Sequence, residues 1–268
     1  MLSRERLALL EGARIYDLAQ PLEEGMGQSP NHPPFRMALA RRHGDSVRPD
    51  GSSAASEILV TGGHVGTHLD ALCHVSYEGR LYGGIDATEA QRGGRFSALG
   101  IETVQPFFCR GVLLDIPAYK GVDVLAPGYA VGAGDLEATA GALEVEVRAG
   151  DAVLVRTGWA RNWSDPRAYV GHDTGVPGID PGAALWLCER GVRLVGSDTI
   201  ACEVIPPGSG HRVLPVHRIL MVEHGVHISE TLQLEDLARD CCYEFVFVAA
   251  PLKITGATGS PIRPLAIA

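Results

Sequence analysis

Apolar residues along this chain fall into short runs separated by turn-forming clusters, the pattern of strands alternating with helices. Arg110–Ile116, Ala152–Thr157 and Val192–Gly196 are apolar at most positions, and Tyr243–Ala250 is a β-rich run of the same kind. Nearly continuous apolar runs of this length predict strands covered on both faces. Ser56–Thr61 reads as a further strand, running into a histidine-rich segment. Asp135–Leu143 reads as a helix. A second helix is signalled by Asp180 as cap, Pro181 at the first position and Gly191 just past the end. At the start, Ser3 can cap a helix over residues 3–13 with Leu7, Leu10 and Ala13 as its apolar side. The Gly/Pro-rich pieces 25–34 and 205–210 read as loops, too short for domain linkers. The expectation is one α/β domain over residues 1–268, with residues 1–13 as an N-terminal helical extension.

Composition narrows the function classes. Hydrophobic residues are 46% of the 268 positions, enough for a sizeable core. The net charge of −9 argues against nucleic acid and anionic membranes as partners. No run approaches the roughly 20 apolar residues of a membrane span. The charged opening Met1-Leu-Ser-Arg-Glu-Arg6 has no signal-peptide pattern. The six cysteines form no Cys-x-x-Cys pair, so free thiols in a reducing cytoplasm are expected.

The densest chemistry lies in His64-Val-Gly-Thr-His68-Leu-Asp70-Ala-Leu-Cys-His74. Imidazole and carboxylate are ligands for zinc, manganese or iron(II), and they are also general bases. A straight strand would put His64 and Asp70 roughly 20 Å apart, at about 3.3 Å per residue. Metal–ligand bonds are about 2.0–2.2 Å, so a straight strand cannot share one ion among them. A helix would align His64 with His68 but carry Asp70 off that face, and the nearby glycines disfavour it. A bent segment remains, with Gly66 as the bend and His68 and Asp70 as an i, i+2 pair beyond it. Cys73 then points away from the even-numbered residues. On residue types alone, hydrogen-bonded structural histidines and a metal site both stay open.

His-x-Gly-Thr-His-x-Asp-x-x-x-His resembles the signature of the metal-dependent cyclase-like hydrolases, except that Leu72 stands where proline is common. Weaker resemblances follow in chain order: Tyr16–Pro21, Gly111–Ile116, Gly150–Trp159, Leu194–Thr199, Val216–Leu220 and Ile228–Leu232. The resemblance implies a single-domain β/β/α fold with a barrel-like mixed sheet. It implies His64, His68 and Asp70 as proximal metal ligands, His217 and Glu230 as distal ligands, and His74 as catalytic acid/base. The implied cofactor is a divalent metal, zinc or manganese, as one or two ions bridged by carboxylates. The implied reaction is hydrolysis of a small amide or cyclic amide, an aryl formamide or an isatin-type lactam, by metal-activated water. The implied assembly is a homodimer or homotetramer. A cyclase or dehydratase working on a polyketide-like or hydroxy-acid substrate is the alternative within the family. A non-catalytic metal-binding protein is the third reading, disfavoured because a purely structural site does not need His74.

The remaining candidates are weaker. Asn31-His32-Pro-Pro-Phe35 is a loop that borders a pocket or forms an exposed turn. Trp159 and Trp163 offer an aromatic wall or, more simply, core packing. His224 and His227 lack the zincin spacing and read as surface or strand residues. No nucleophile elbow, Walker loop or dinucleotide fingerprint occurs.

Overall fold

A computed structural model describes residues 12–268. The helix expected over residues 3–13 falls almost entirely outside them. Among the described residues, thirteen strands run in chain order: β1 Ile15–Asp17, β2 Arg36–Arg41, β3 Ser56–Val60, β4 His68–Asp70, β5 Phe107–Asp115, β6 Ala130–Val131, β7 Ala152–Arg156, β8 Gly178–Ile179, β9 Leu194–Ser197, β10 His227–Glu230, β11 Glu244–Ala249, β12 Gly259–Pro261 and β13 Leu265–Ile267. Nine of them form one curled mixed sheet in the order β1-β13-β11-β5-β7-β9-β10-β4-β12. Its centre, β5-β7-β9-β10, is parallel, and both flanks are antiparallel. This is the mixed α/β, barrel-like sheet that the resemblance implies.

β7, β9 and the Gly111–Asp115 stretch of β5 are buried on both faces because both faces are covered. Val112, Leu114, Val153, Val155 and Val195 point to a layer with Leu136, Ala183 and Leu187 from helices Ala133–Ala142 and Pro181–Glu189. Leu113, Leu154 and Leu194 point to the opposite core, among Phe107, Phe245 and Phe247. Adjacent residues thus go to opposite layers, as the period of two requires. The expectation fails for β11, where Val246 and Val248 are only half-buried between buried Phe245, Phe247 and Ala249.

Helix Pro181–Glu189 carries its sequence signals in place. Asp180 accepts from the Ala183 N–H at 2.8 Å, Pro181 opens the helix, and Gly191 has φ +71° just past its end. The strand expected at 56–61 is present but does not belong to the core. It pairs with β2 in a separate two-stranded ribbon exposed along its whole length. Its apolar residues therefore report an outward surface rather than a buried strand.

Candidate functional site

The histidine-rich segment is bent, and glycine makes the bend. Gly66 has φ +68°, and a Cβ there would run into Leu22 Cδ2. Thr67 pins the turn: its hydroxyl donates to the Thr231 carbonyl at 2.6 Å and accepts from the Gln20 N–H at 2.8 Å. Beyond it, β4 is only three residues long and fully buried. Antiparallel register sets Glu230 of β10 opposite His68, and Gly259 of β12 opposite Asp70. The glycine at 259 leaves room for the flat face of the His64 ring, whose Nδ1 would lie 2.9 Å from any Cβ there.

Five side chains from two distant stretches of the chain, 64–74 and 217–230, converge on Asp70. His64 Nδ1 lies 2.7 Å from Asp70 Oδ1, and His68 Nε2 lies 3.5 Å from the same oxygen. Glu230 Oε2 is 3.4 Å from His68 Nε2, and Glu230 Oε1 is 3.3 Å from His217 Nε2. His217 Nε2 is 3.8 Å from Asp70 Oδ2. His74 stacks on His64 with ring centroids 3.8 Å apart. Two sets of donor atoms lie within 4.8 Å of one another: His64, Asp70 and His74, and Asp70, His217 and Glu230. Asp70 belongs to both. All six residues singled out in the sequence lie in this cluster, but His68 belongs to neither set, touching Asp70 and Glu230 instead, and His74 stands in the set with His64 and Asp70.

Whether a cation fits can be judged from the hydrogen bonds. His68 donates from Nδ1 to the Gly66 carbonyl at 2.7 Å, and His217 donates from Nδ1 to Glu203 Oε1 at 2.6 Å. Each ring therefore turns its Nε2 lone pair toward carboxylates. Asp70 Oδ2 and Glu230 Oε1 are buried without a hydrogen-bond partner among the described residues. Buried carboxylates with unpaired oxygens are costly unless a positive charge joins them. A divalent ion satisfies the carboxylates and the imidazole lone pairs at once, so the donor set fits one. Without it, protons must serve. Burial alone would lower the pKa of His68, but Glu230 and Asp70 outweigh burial and lift it to about 9. His217 is likewise raised, with Glu203 and Glu230 outweighing burial. Asp70 and Glu230 are lowered, against the effect of burial, by the histidines around them. His74 differs: burial pushes it down to about 3, so it is a neutral base.

Sequence reasoning missed several supporting residues. Glu203, 1% exposed, accepts from the N–H groups of Val216 and His217 as well as from the His217 ring. Thr258 Oγ1 lies 2.9 Å from His64 Nε2. His227 Nδ1 donates to the Asp70 carbonyl at 2.9 Å, a strand role, whereas His224 is exposed. A cavity of about 170 Å³ opens above the cluster, and Asn31 and His32 line it. His32 stacks over His64 at 5.1 Å, so this loop borders the pocket. Ser29 and His211 also line it. Trp159 and Trp163 do not form an aromatic wall there. The Trp159 indole N–H donates to the Tyr169 carbonyl at 2.8 Å, and Trp163 packs edge-on against the Tyr169 ring at 5.0 Å. Cys73 points away from the cluster, toward the Ala257 carbonyl.

Fold and site together define a protein of the cyclase family. The chain belongs to it: the family described as "Putative cyclase" matches residues 16–204. Among characterised relatives, an isatin hydrolase from Roseibium aggregatum is 29% identical over 222 residues, 81% of this chain and 76% of its own. A kynurenine formamidase from Bacillus cereus is 26% identical over 250 residues, 92% of this chain and 94% of its own. A crystal structure of a novel cyclase superposes with TM-score 0.88 at 30% identity, over 100% of this chain and 92% of that one. Isatin hydrolase A from Ralstonia solanacearum shares the fold, with TM-score 0.77 at 23% identity over 100% and 98% of the two chains.

Proposed function

We propose that this protein is a metal-dependent hydrolase that cleaves the C–N bond of a small amide or cyclic amide. The observation that carries this reading is Asp70, a buried carboxylate shared by two sets of donor atoms, with one oxygen unpaired among the described residues. His64, His68 and Asp70 would supply the proximal ligands, and His217 and Glu230 the distal ones, for one or two divalent ions. Such an ion supplies Lewis acidity toward a carbonyl oxygen and toward water. Zinc or manganese suits this nitrogen and oxygen set. His74 acts as the proton carrier. Its neutral imidazole takes a proton from the attacking water and returns it to the leaving nitrogen. His64, stacked beneath it, holds the ring over the cluster. The cavity of about 170 Å³ suits a small substrate, since pockets for drug-sized ligands are roughly 300–1,000 Å³. Relatives named for isatin hydrolysis and kynurenine formamidase activity support a lactam or an aryl formamide as the substrate.

The experiment is a screen of isatin, aryl formamides, lactones and esters with chelated, zinc-loaded and manganese-loaded protein. Metal-dependent hydrolysis of an amide or lactam upholds the reading. Metal-dependent dehydration or ring closure without hydrolysis replaces it with the cyclase or dehydratase reading. Bound metal with no chemistry replaces it with the binding-protein reading.

The reading extends to assembly and place. A homodimer or homotetramer is supported by the β2–β3 ribbon, where Met37, Leu39, Ile58, Leu59 and Val60 are about half exposed. A cytoplasmic location is supported by six cysteines that are all free. No helix among the described residues is long and apolar enough to cross a membrane.

A further inference from the structure

The wall of the pocket that Glu230 lines also carries a histidine that the proposed reaction does not use. His211 lines the cavity, and its Nδ1 lies 3.0 Å from Ser29 Oγ. Ser29 is 5% exposed, and its hydroxyl oxygen already accepts from the Asn31 N–H at 3.3 Å. The single hydroxyl proton of Ser29 has one acceptor among the described residues, His211 Nδ1. In the tautomer in which Ser29 donates to His211, the ring proton of the neutral imidazole is on Nε2. That Nε2 is buried and has no partner among the described residues. A buried N–H without an acceptor is costly, by more than a made hydrogen bond returns. Such a donor in the wall of a binding pocket is satisfied by what the pocket binds.

We propose that His211 is a specificity-determining residue whose Nε2–H donates to a second acceptor oxygen on the substrate, distinct from the carbonyl that is cleaved. The substrate class is then an amide or lactam bearing an additional neutral oxygen, such as a neighbouring ketone. Burial lowers the pKa of His211, in keeping with a neutral donor that selects a carbonyl rather than pairing with an anion. Ser29 fixes the tautomer that makes the donor available. This inference rests on the hydrolase reading for its substrate and on the Ser29–His211 contact for its donor.

The test uses two probes that share a lactam and differ in one oxygen: isatin, which carries a ketone beside the lactam, and 2-oxindole, which lacks it. On the metal-loaded protein, His211→Leu should lower kcat/KM for isatin about tenfold, the worth of one hydrogen bond. The inhibition constant of 2-oxindole should stay within about twofold. His211→Gln, which keeps an N–H donor, should recover part of the loss. Equal effects on both probes, or no effect on isatin, would overturn the assignment while leaving the hydrolase reading intact. Absence of metal-dependent isatin turnover by the wild type contradicts the hydrolase reading instead. In that case the ¹⁵N spectrum of the His211 ring decides alone. An Nε2–H signal that moves when isatin is added upholds the donor, and an Nδ1–H tautomer overturns it.

Discussion

Glu203 Oε1 lies 2.6 Å from Nδ1 of His217, and both side chains are buried. This contact fixes the tautomer of His217 and turns its Nε2 toward Glu230 and Asp70. Outer carboxylates of this kind tune metal affinity by about 10- to 100-fold. Glu203→Ala should therefore weaken metal binding by that factor, measured by competition with a chelating dye. It should also destabilise the fold by about 1–3 kcal/mol, because the N–H groups of Val216 and His217 lose their acceptor. Unchanged metal affinity would show that His217 is held by packing alone.

His74→Ala should retain most of the metal while losing about 10²- to 10⁴-fold in turnover, the range for a positioned acid/base. Metal content and rate are measured on the same preparation. A parallel loss of both would make His74 a ligand, an arrangement its closeness to His64 and Asp70 permits.

Stripping the ion should make stability pH-dependent in a defined direction. The folded pKa of His68, about 9, lies above its ordinary 6.5. The folded state thus holds that proton more tightly than the unfolded chain, and the resulting stability is fully present below about pH 6.5. It is lost as pH rises through about 9, and His217 is shifted in the same direction. Chelated protein should melt at lower temperature at pH 9 than at pH 6.5, while the metal-loaded protein should show a smaller difference. Thermal melts across this window check it, and a flat profile for the chelated protein contradicts it.

Leu72 occupies the second position of a tight turn closed by the His74 N–H and the Ala71 carbonyl at 2.8 Å. Proline is favoured at that position, which gives a physical reason for the residue usual in the family signature. Leu72→Pro should gain about 0.4–1 kcal/mol from the unfolded chain and lose part of the packing of a buried leucine. The expected net change is within about 1 kcal/mol with metal content unchanged, as read by denaturant unfolding and elemental analysis. A large loss of either would show that the backbone at Leu72 does not accept proline.

The parts legible in the sequence were those governed by local rules. Period and apolar content gave the strands β5, β7 and β9. Asp180, Pro181 and Gly191 marked one helix, and Gly66 marked the bend of the histidine segment. β3 was legible as a strand, but its partner β2 and the exposure of their ribbon were not, because an exposed apolar strand has the same pattern as a core strand and only its missing cover distinguishes them. Glu203 and His211 escaped for another reason. Each gains meaning from a partner brought near by the fold, His217 from 14 positions away and Ser29 from 182. No spacing along the chain announces the second of these contacts.

The central claim is that metal held around Asp70 enables amide hydrolysis, and a metal titration of chelator-stripped protein tests it most directly. Bound zinc or manganese per chain and hydrolysis of isatin or an aryl formamide are measured in the same samples, for wild type and for Asp70→Asn. The account predicts that wild-type activity rises with bound metal and saturates at one or two ions per chain, while Asp70→Asn loses both. Full activity in stripped protein, or a wild type that binds no divalent ion, would contradict it.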